Sequence, residues 1–299
     1  GRFEGSSANS GEEKGKKILN KTPAYALSVL AAGMQGGLTS PARPWFRLGL
    51  YDKKLESEKG VREWLENAEK KVYSALNRSN FYGAIHGIYA ELANIGTACL
   101  YIEEDEKELL RAKMLTVGEY YLTDDDSGRI NTVFRRIKMT ARQMKSKFGY
   151  EALSDVVKVA AERESDEYFS VIHAVYPRED FDPEKPGGVN MPYVSIYFEE
   201  NTTDEKLLRE SGYNEFPFMV PRWETRGSEV YGRSRGMLVL SDAKLLQEME
   251  KSQIKSIHLV NDPPLAVPAS HSHKLNLVPG GINYYSGTLE PVKPLFQVQ

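Results

Sequence analysis

FPFMVPRWETRGSEVYGRSRGMLVLSDAKLLQEMEKSQIKSIHLVNDPP, residues 216–264, decides the fold. Its apolar start, 216–223, has the composition of a strand. A glycine-broken loop follows over 227–236, then one long helix over 242–260. The stop is abrupt, at Asn261-Asp262-Pro263-Pro264. Nothing in the stretch has the look of catalysis. A long helix ended by two prolines is a strut leading into a different module, which points to an assembly component and away from an enzyme.

At ~1.5 Å per residue that helix is roughly 28 Å long, and Ser241 or Asp242 is placed to cap it. Lys244, Glu248, Lys251, Lys255 and His258 follow at steps of four, three, four and three, so they share one face. Leu245, Met249, Ser252, Ser256 and Leu259 form the adjacent row. Leu246, Gln247, Gln253 and Ile257 make a mixed flank. The broad apolar stripe that would bury the helix in a globule is missing. Small and polar residues on two sides suit packing between identical neighbours. The basic row then faces a neighbour's acidic side. A solvated charged face is the plainer reading of the same pattern, and Glu248 interrupts the row.

Before this stretch the chain is helical first and strand-rich second, an α+β layout. Residues 1–17 are rich in Gly, Ser, Glu and Lys and predict a mobile arm. Thr22 caps a first helix with Pro23 at its first position, and Gly36-Gly37 is expected to end it. Trp45 and Phe46, in a proline-punctuated segment, need burial in the subunit core or against a neighbour. Ser57 opens a second helix with Val61, Trp64, Leu65, Ala68, Val72 and Leu76 on one apolar face. Asn80 opens a third, carrying Phe81, Ala84, Ile85, Ile88 and Leu92, and Gly96 stops it. Strands are expected at 99–102, 115–123, 129–139, 168–176, 193–199 and 215–223. Turn chemistry at 124–128 makes a hairpin, and the loop 180–190 is a flexible tip. Short helices start at Thr140 and Ser154.

With 299 residues the chain is about two domains or one elongated subunit. Its 39 basic and 42 acidic residues leave a net charge of −3, a poor signature for gripping nucleic acid but compatible with DNA sliding past. Cys99 is the single cysteine, so no intrachain disulfide is possible, and it reads as a core residue. No apolar run reaches the ~18–20 residues of a membrane span, and no signal peptide is apparent. No phosphate-cradling glycine loop, serine elbow or zinc-binding helix motif occurs. His271 and His273 alternate in a proline-rich loop and make a weak metal signal; no metal and no cofactor are expected. Two other readings stand. One is a carboxylate-dependent hydrolase using the acidic runs 103–108 and 124–126, which look solvated where catalysis needs partial burial. The other is an α+β scaffold protein.

An ordered set of words carries a resemblance. Pro217-Phe218-Met219-Val220-Pro221-Arg222-Trp223, Tyr231-Gly232-Arg233-Ser234, Leu245-Leu246-Gln247 and Pro263-Pro264 are joined by earlier ones. These are Gly37-Leu38-Thr39-Ser40-Pro41, Pro44-Trp45-Phe46-Arg47-Leu48, Ser79-Asn80-Phe81-Tyr82 and Gly118-Glu119-Tyr120-Tyr121, with Pro279-Gly280-Gly281-Ile282-Asn283 beyond the long helix. Over essentially its whole length the chain resembles the portal proteins, the head-to-tail connecting proteins of short-tailed bacteriophages. The resemblance implies a homo-oligomeric ring, usually of twelve subunits, at one vertex of the virion capsid and assembled in the host cytoplasm. Double-stranded DNA enters and leaves through its axis. The partners implied are the terminase large subunit, a tail adaptor and capsid or scaffold protein, with no membrane and no catalytic residue. It implies a wing over 18–240 (helical over 18–96, β-rich over 97–240), a first stem helix over 241–260 and a clip over 261–299. Lys244, Lys251, Lys255 and His258 are the candidate channel residues. Pro263, Pro264, His271, His273, Tyr284 and Tyr285 are the candidate terminase-facing residues. Family members continue into a second stem helix, a tunnel loop, a long wing helix and a crown. The chain starts Gly1-Arg2 without methionine and is expected to be part of something longer.

Overall fold

A computed structural model describes residues 18–185, 189–200 and 206–261, with 265–266, 276 and 293–294. The predicted arm over 1–17 and part of the loop tip over 180–190 lie outside the described residues. So do Pro263, Pro264, His271, His273, Tyr284 and Tyr285. Two units emerge, residues 22–240 and a second that joins 18–21 to the chain from 241 onward.

The larger unit is α+β. Helix α1 (Thr22–Leu38) runs through Gly36-Gly37 instead of ending there, since two glycines cost a helix only about 2 kcal/mol together. It is not buried all round. Ala31 is sealed, whereas Tyr25 and Val29 are open to solvent. A short α2 (Lys53–Ser57), capped by Asp52, precedes α3 (Lys59–Arg78). Ser57 therefore closes a helix where the sequence suggested it would open one. The apolar face of α3 is also rotated from expectation. Leu65 and Leu76 are buried, but Trp64 is 66 % exposed and Val72 40 %.

Helix α4 (Phe81–Asn94) carries Phe81, Ile88, Tyr89, Leu92 and Ala93 into the first core. Trp45 and Phe46 pack on that core within the subunit: Trp45 lies parallel to Phe81, and Phe46 stacks on Tyr73 at 4.4 Å. The Tyr73 hydroxyl accepts from the Trp45 and Phe46 amides and donates to the Phe46 carbonyl, each at 2.8 Å.

Asn80 makes no side-chain cap on α4. Its amide instead pairs with Ala112 like a neighbouring strand, donating to the carbonyl at 2.8 Å and accepting from the N–H at 2.9 Å. Ala112 lies in β2 (Leu109–Leu115), which pairs antiparallel with β1 (Cys99–Asp105). The acidic run 103–108 is thus the end of one strand and a turn. The expected strand 115–123 splits at Gly118 (φ +100°) into the end of β2 and β3 (Tyr120–Asp124).

A five-stranded antiparallel sheet follows in spatial order β3, β4 (Ile130–Thr140), β5 (Tyr168–Pro177), β6 (Tyr193–Glu199), β7 (Arg209–Tyr213). The β3–β4 hairpin turns where expected, with the Asp125 carboxylate accepting from the Ser127 and Arg129 amides. Helix α5 (Ala141–Phe148) starts with a Thr140/Gln143 capping box, and Ser154 caps α6 (Asp155–Glu162). The expected strand 215–223 shrinks to β8 (Phe218–Met219). It completes the three-stranded sheet β2–β1–β8 and is extended by a bridge from Thr97 to Arg222.

Candidate functional site

Arg222 ties the segment after β8 in place, its guanidinium donating to the Gly128 carbonyl at 2.5 Å and the Val230 carbonyl at 3.2 Å. The next segment folds tightly over the turn between α4 and β1. Gly232 donates to Thr97 Oγ1 at 2.7 Å, Ser234 Oγ donates to the Asn94 carbonyl at 2.6 Å, and Trp223 donates to the Gly96 carbonyl at 2.8 Å. A Cβ on Gly232 would sit 2.3 Å from the Gly96 oxygen, so the Tyr231-Gly232-Arg233-Ser234 word is a backbone-on-backbone contact that only glycine permits. Ser234 then caps α7 (Arg235–Leu238). Met237, Leu238, Val239 and Leu240 follow as four exposed apolar residues in a row.

Helix α8 (Leu240–Asn261) is 22 residues long and has no buried residue. At ~100° per residue, Lys244, Lys251, Lys255 and His258 fall within an arc of about 60°. All four are exposed. Glu248 sits at the edge of the arc, 3.5 Å from Lys251 Nζ. Both partners are about two-thirds exposed, so the pair contributes little. A second face is occupied: Gln247 Oε1 accepts from the backbone N–H groups of Leu19 and Asn20 at 3.1 and 3.0 Å, and Asn20 Nδ2 donates to Glu250 at 3.3 Å. The remaining arc exposes Leu245, Met249, Ile257 and Val260. The sequence reading missed the Leu19–Gln247 contact, because backbone donors leave no composition signal.

The residues that most resemble catalytic machinery are sealed in the sheet. His173 Nε2 lies 2.9 Å from Ser195 Oγ, and both residues are fully buried. Arg135 Nε donates to His173 Nδ1 at 2.8 Å, which puts the ring proton on Nε2 and makes it a donor to the serine. A nucleophile's base needs the reverse. Burial first, then Arg135 and Lys147, hold the His173 pKa at about 2, so the ring stays neutral. Burial likewise pushes the Cys99 thiol up to about 12, which keeps it from acting as a thiolate. Asp105 and Asp125 are held below the usual carboxylate range by turn hydrogen bonds, the opposite of what a general acid requires. A faint signal for the buried cluster was present, a histidine inside the apolar run of β5.

Among the described residues no cluster of His, Cys, Asp or Glu has the arrangement to hold a metal ion, and no helix is long and apolar enough to cross a membrane.

The chain belongs to the bacteriophage head to tail connecting protein family, whose profile matches residues 1–299. It is 38 % identical over 286 residues to a probable portal protein of Bordetella phage BPP-1, covering 95 % of this chain and 52 % of that protein. It is 36 % identical over 286 residues to the portal protein of Salmonella phage epsilon15, covering 95 % and 51 %. The chain spans about half the length of these curated relatives.

Proposed function

We propose that the chain is a portal subunit, part of a ring through which the phage genome enters the capsid and later leaves. The observation that carries this is the family match along the whole chain to proteins named portal proteins. The bare surface of α8 supports it: a 22-residue helix with no buried residue needs other protein around it. In this reading residues 18–240 are the wing, α8 is the first stem helix and 261–299 the clip. Lys244, Lys251, Lys255 and His258 face the DNA path, where exposed ammonium groups give weak, salt-sensitive phosphate contacts suited to sliding.

The Leu245/Met249 side and the 237–240 apolar run pack against neighbouring copies. The clip, with Pro263, Pro264, His271, His273, Tyr284 and Tyr285, meets the terminase large subunit during packaging and the tail adaptor afterwards. Capsid or scaffold protein holds the ring at its vertex in the virion. The subunit does this by shape and carries out no covalent chemistry.

Electron microscopy of the protein at its natural length tests the reading. The expected images are closed rings, of twelve subunits by family resemblance, with an axial hole wide enough for duplex DNA and α8 beside it. Compact monomers with no ring at any concentration, or rings with α8 on the outer rim, would overturn it.

A further inference from the structure

Two cross-strand rows in the larger unit bring like charges together without enough carboxylates to balance them. In the five-stranded sheet, Arg135, His173, Tyr197 and Arg209 are successive register partners across β4, β5, β6 and β7, so they line one face. In the three-stranded sheet, Tyr101 and Lys113 are register partners. The rows meet: the Arg135 guanidinium lies 4.7 Å from the Tyr101 ring, and the Tyr101 and Tyr213 hydroxyls are hydrogen-bonded at 2.9 Å. Lys147, from α5, places Nζ 4.5 Å from the centroid of Tyr197, and Lys113 Nζ lies 5.9 Å from that of Tyr101.

Arg135, Lys113 and Lys147, from three different elements, therefore lie against Tyr101 and Tyr197, and Arg209, from a fourth, is the cross-strand partner of Tyr197. A solvated charged face would place its lysines along one helix or strand. Glu103, bonded to Lys113, is the single carboxylate paired with any of the four among the described residues. Arg135 is only 5 % exposed, and a buried cation is ordinarily matched by an anion. Here aromatic faces and a neutral histidine surround it, and they do not cancel its charge. Lys147 is an exposed residue, but desolvation of its ammonium, then Arg135 and Lys113, lower its pKa to about 8.

We infer that Lys113, Lys147 and Arg209, set over the buried Arg135, form a binding site for a phosphate-type oxyanion. The ammonium groups and guanidinium donate to its oxygens, and the tyrosine hydroxyls border it. The proposal rests on the larger unit alone and does not depend on the portal reading. The phosphate is either a free one or one in a DNA backbone.

Pyrophosphate is the probe, titrated calorimetrically into the protein at low salt. Saturable binding is expected, weakened at least tenfold in K147Q/R209Q. K70Q/K71Q, which removes the same charge from α3, is expected to bind as the parent does. Near pH 8, Lys147 is expected to label with an amine reagent faster than the other lysines, and pyrophosphate to suppress that labelling. A short DNA duplex that displaces pyrophosphate from the parent assigns the site to backbone phosphate; a duplex that does not assigns it to a free one. Absence of saturable binding, equal affinity in K147Q/R209Q, or equal weakening in K70Q/K71Q would overturn the site.

Discussion

The imidazole of His173 lies flat on the ring of Tyr197, centroids 4.0 Å apart and 4° from parallel. The stack sits in the middle of the widest sheet, with Arg135 on one side and Ser195 on the other. It makes a buried base part of the fold's stability, with a pH signature of its own.

That signature has a definite sign. The folded pKa of His173 is depressed to about 2 from an unfolded value near 6.5. Its contribution is whole above pH 6.5 and is lost as pH falls toward the folded value, because only the unfolded chain takes up the proton. Between pH 6.5 and 5 the loss is about 2 kcal/mol. Urea unfolding at both pH values is expected to show it in the parent. H173Q, whose amide can accept from Arg135 and donate to Ser195, is expected to remove most of the difference. Equal pH dependence in the two proteins would rule out His173 as the source.

The Gly96–Gly232 contact predicts opposite outcomes for chemically identical changes. In G232A the new methyl meets backbone that cannot retreat, at 2.3 Å. The cost is about 3 kcal/mol or more. In G33A the new methyl on α1 meets nothing within 4 Å. That substitution is expected to stabilise by about 0.5–1 kcal/mol through the helix backbone alone. Thermal unfolding of the two variants reads the sign directly.

Asn80 offers a test of a side chain acting as a strand. N80A leaves the Ala112 N–H and C=O inside the fold without their partner, at about 1–3 kcal/mol. N80D keeps the acceptor but sets a carboxylate oxygen against the Ala112 carbonyl, and is expected to be no better than N80A. Denaturant midpoints of both variants check this. A recovery in N80D would mean that only the N–H bond matters.

What the sequence disclosed was mostly local. The helix start at Thr140, the turn over 124–128 and the long helix each depend on residues within a few positions of one another, and all three form where expected. The strands that escaped notice depend on distant partners. β2 reads LLRAKML, with both charges, Arg111 and Lys113, on the same face as Leu109 and Leu115, so no clean apolar face stands out, and it becomes a strand because β1 and Asn80 supply its hydrogen bonds. β7 reads RESGY, without a β-branched residue, and is held as an edge by β6. Trp64 shared the helical spacing of the apolar face on α3, yet what covers a residue is set by tertiary packing, and here the core begins one position further on, at Leu65. Of the candidate channel row, spacing alone placed four side chains on one face; which partner that face meets depends on other subunits, and one chain does not encode it visibly.

Gln247 carries the last prediction. Its side-chain oxygen takes two backbone N–H groups, Leu19 and Asn20, from a stretch far away in sequence. A bond accepting from two consecutive amides orients the chain as well as holding it, so Q247A should loosen residues 18–21 at Leu19 and Asn20, with the Asn20–Glu250 bond still in place, while leaving the helix itself intact. Amide hydrogen exchange is the sharp readout: Leu19 and Asn20 are expected to lose protection in Q247A, and the α8 amides around position 247 to keep theirs. Q247E, an acceptor with a full negative charge facing the same two donors, is expected to retain or raise the protection, because hydrogen bonds to an ionised acceptor are roughly twice as strong. If Leu19 and Asn20 exchange equally fast in all three proteins, the segment is not held by Gln247.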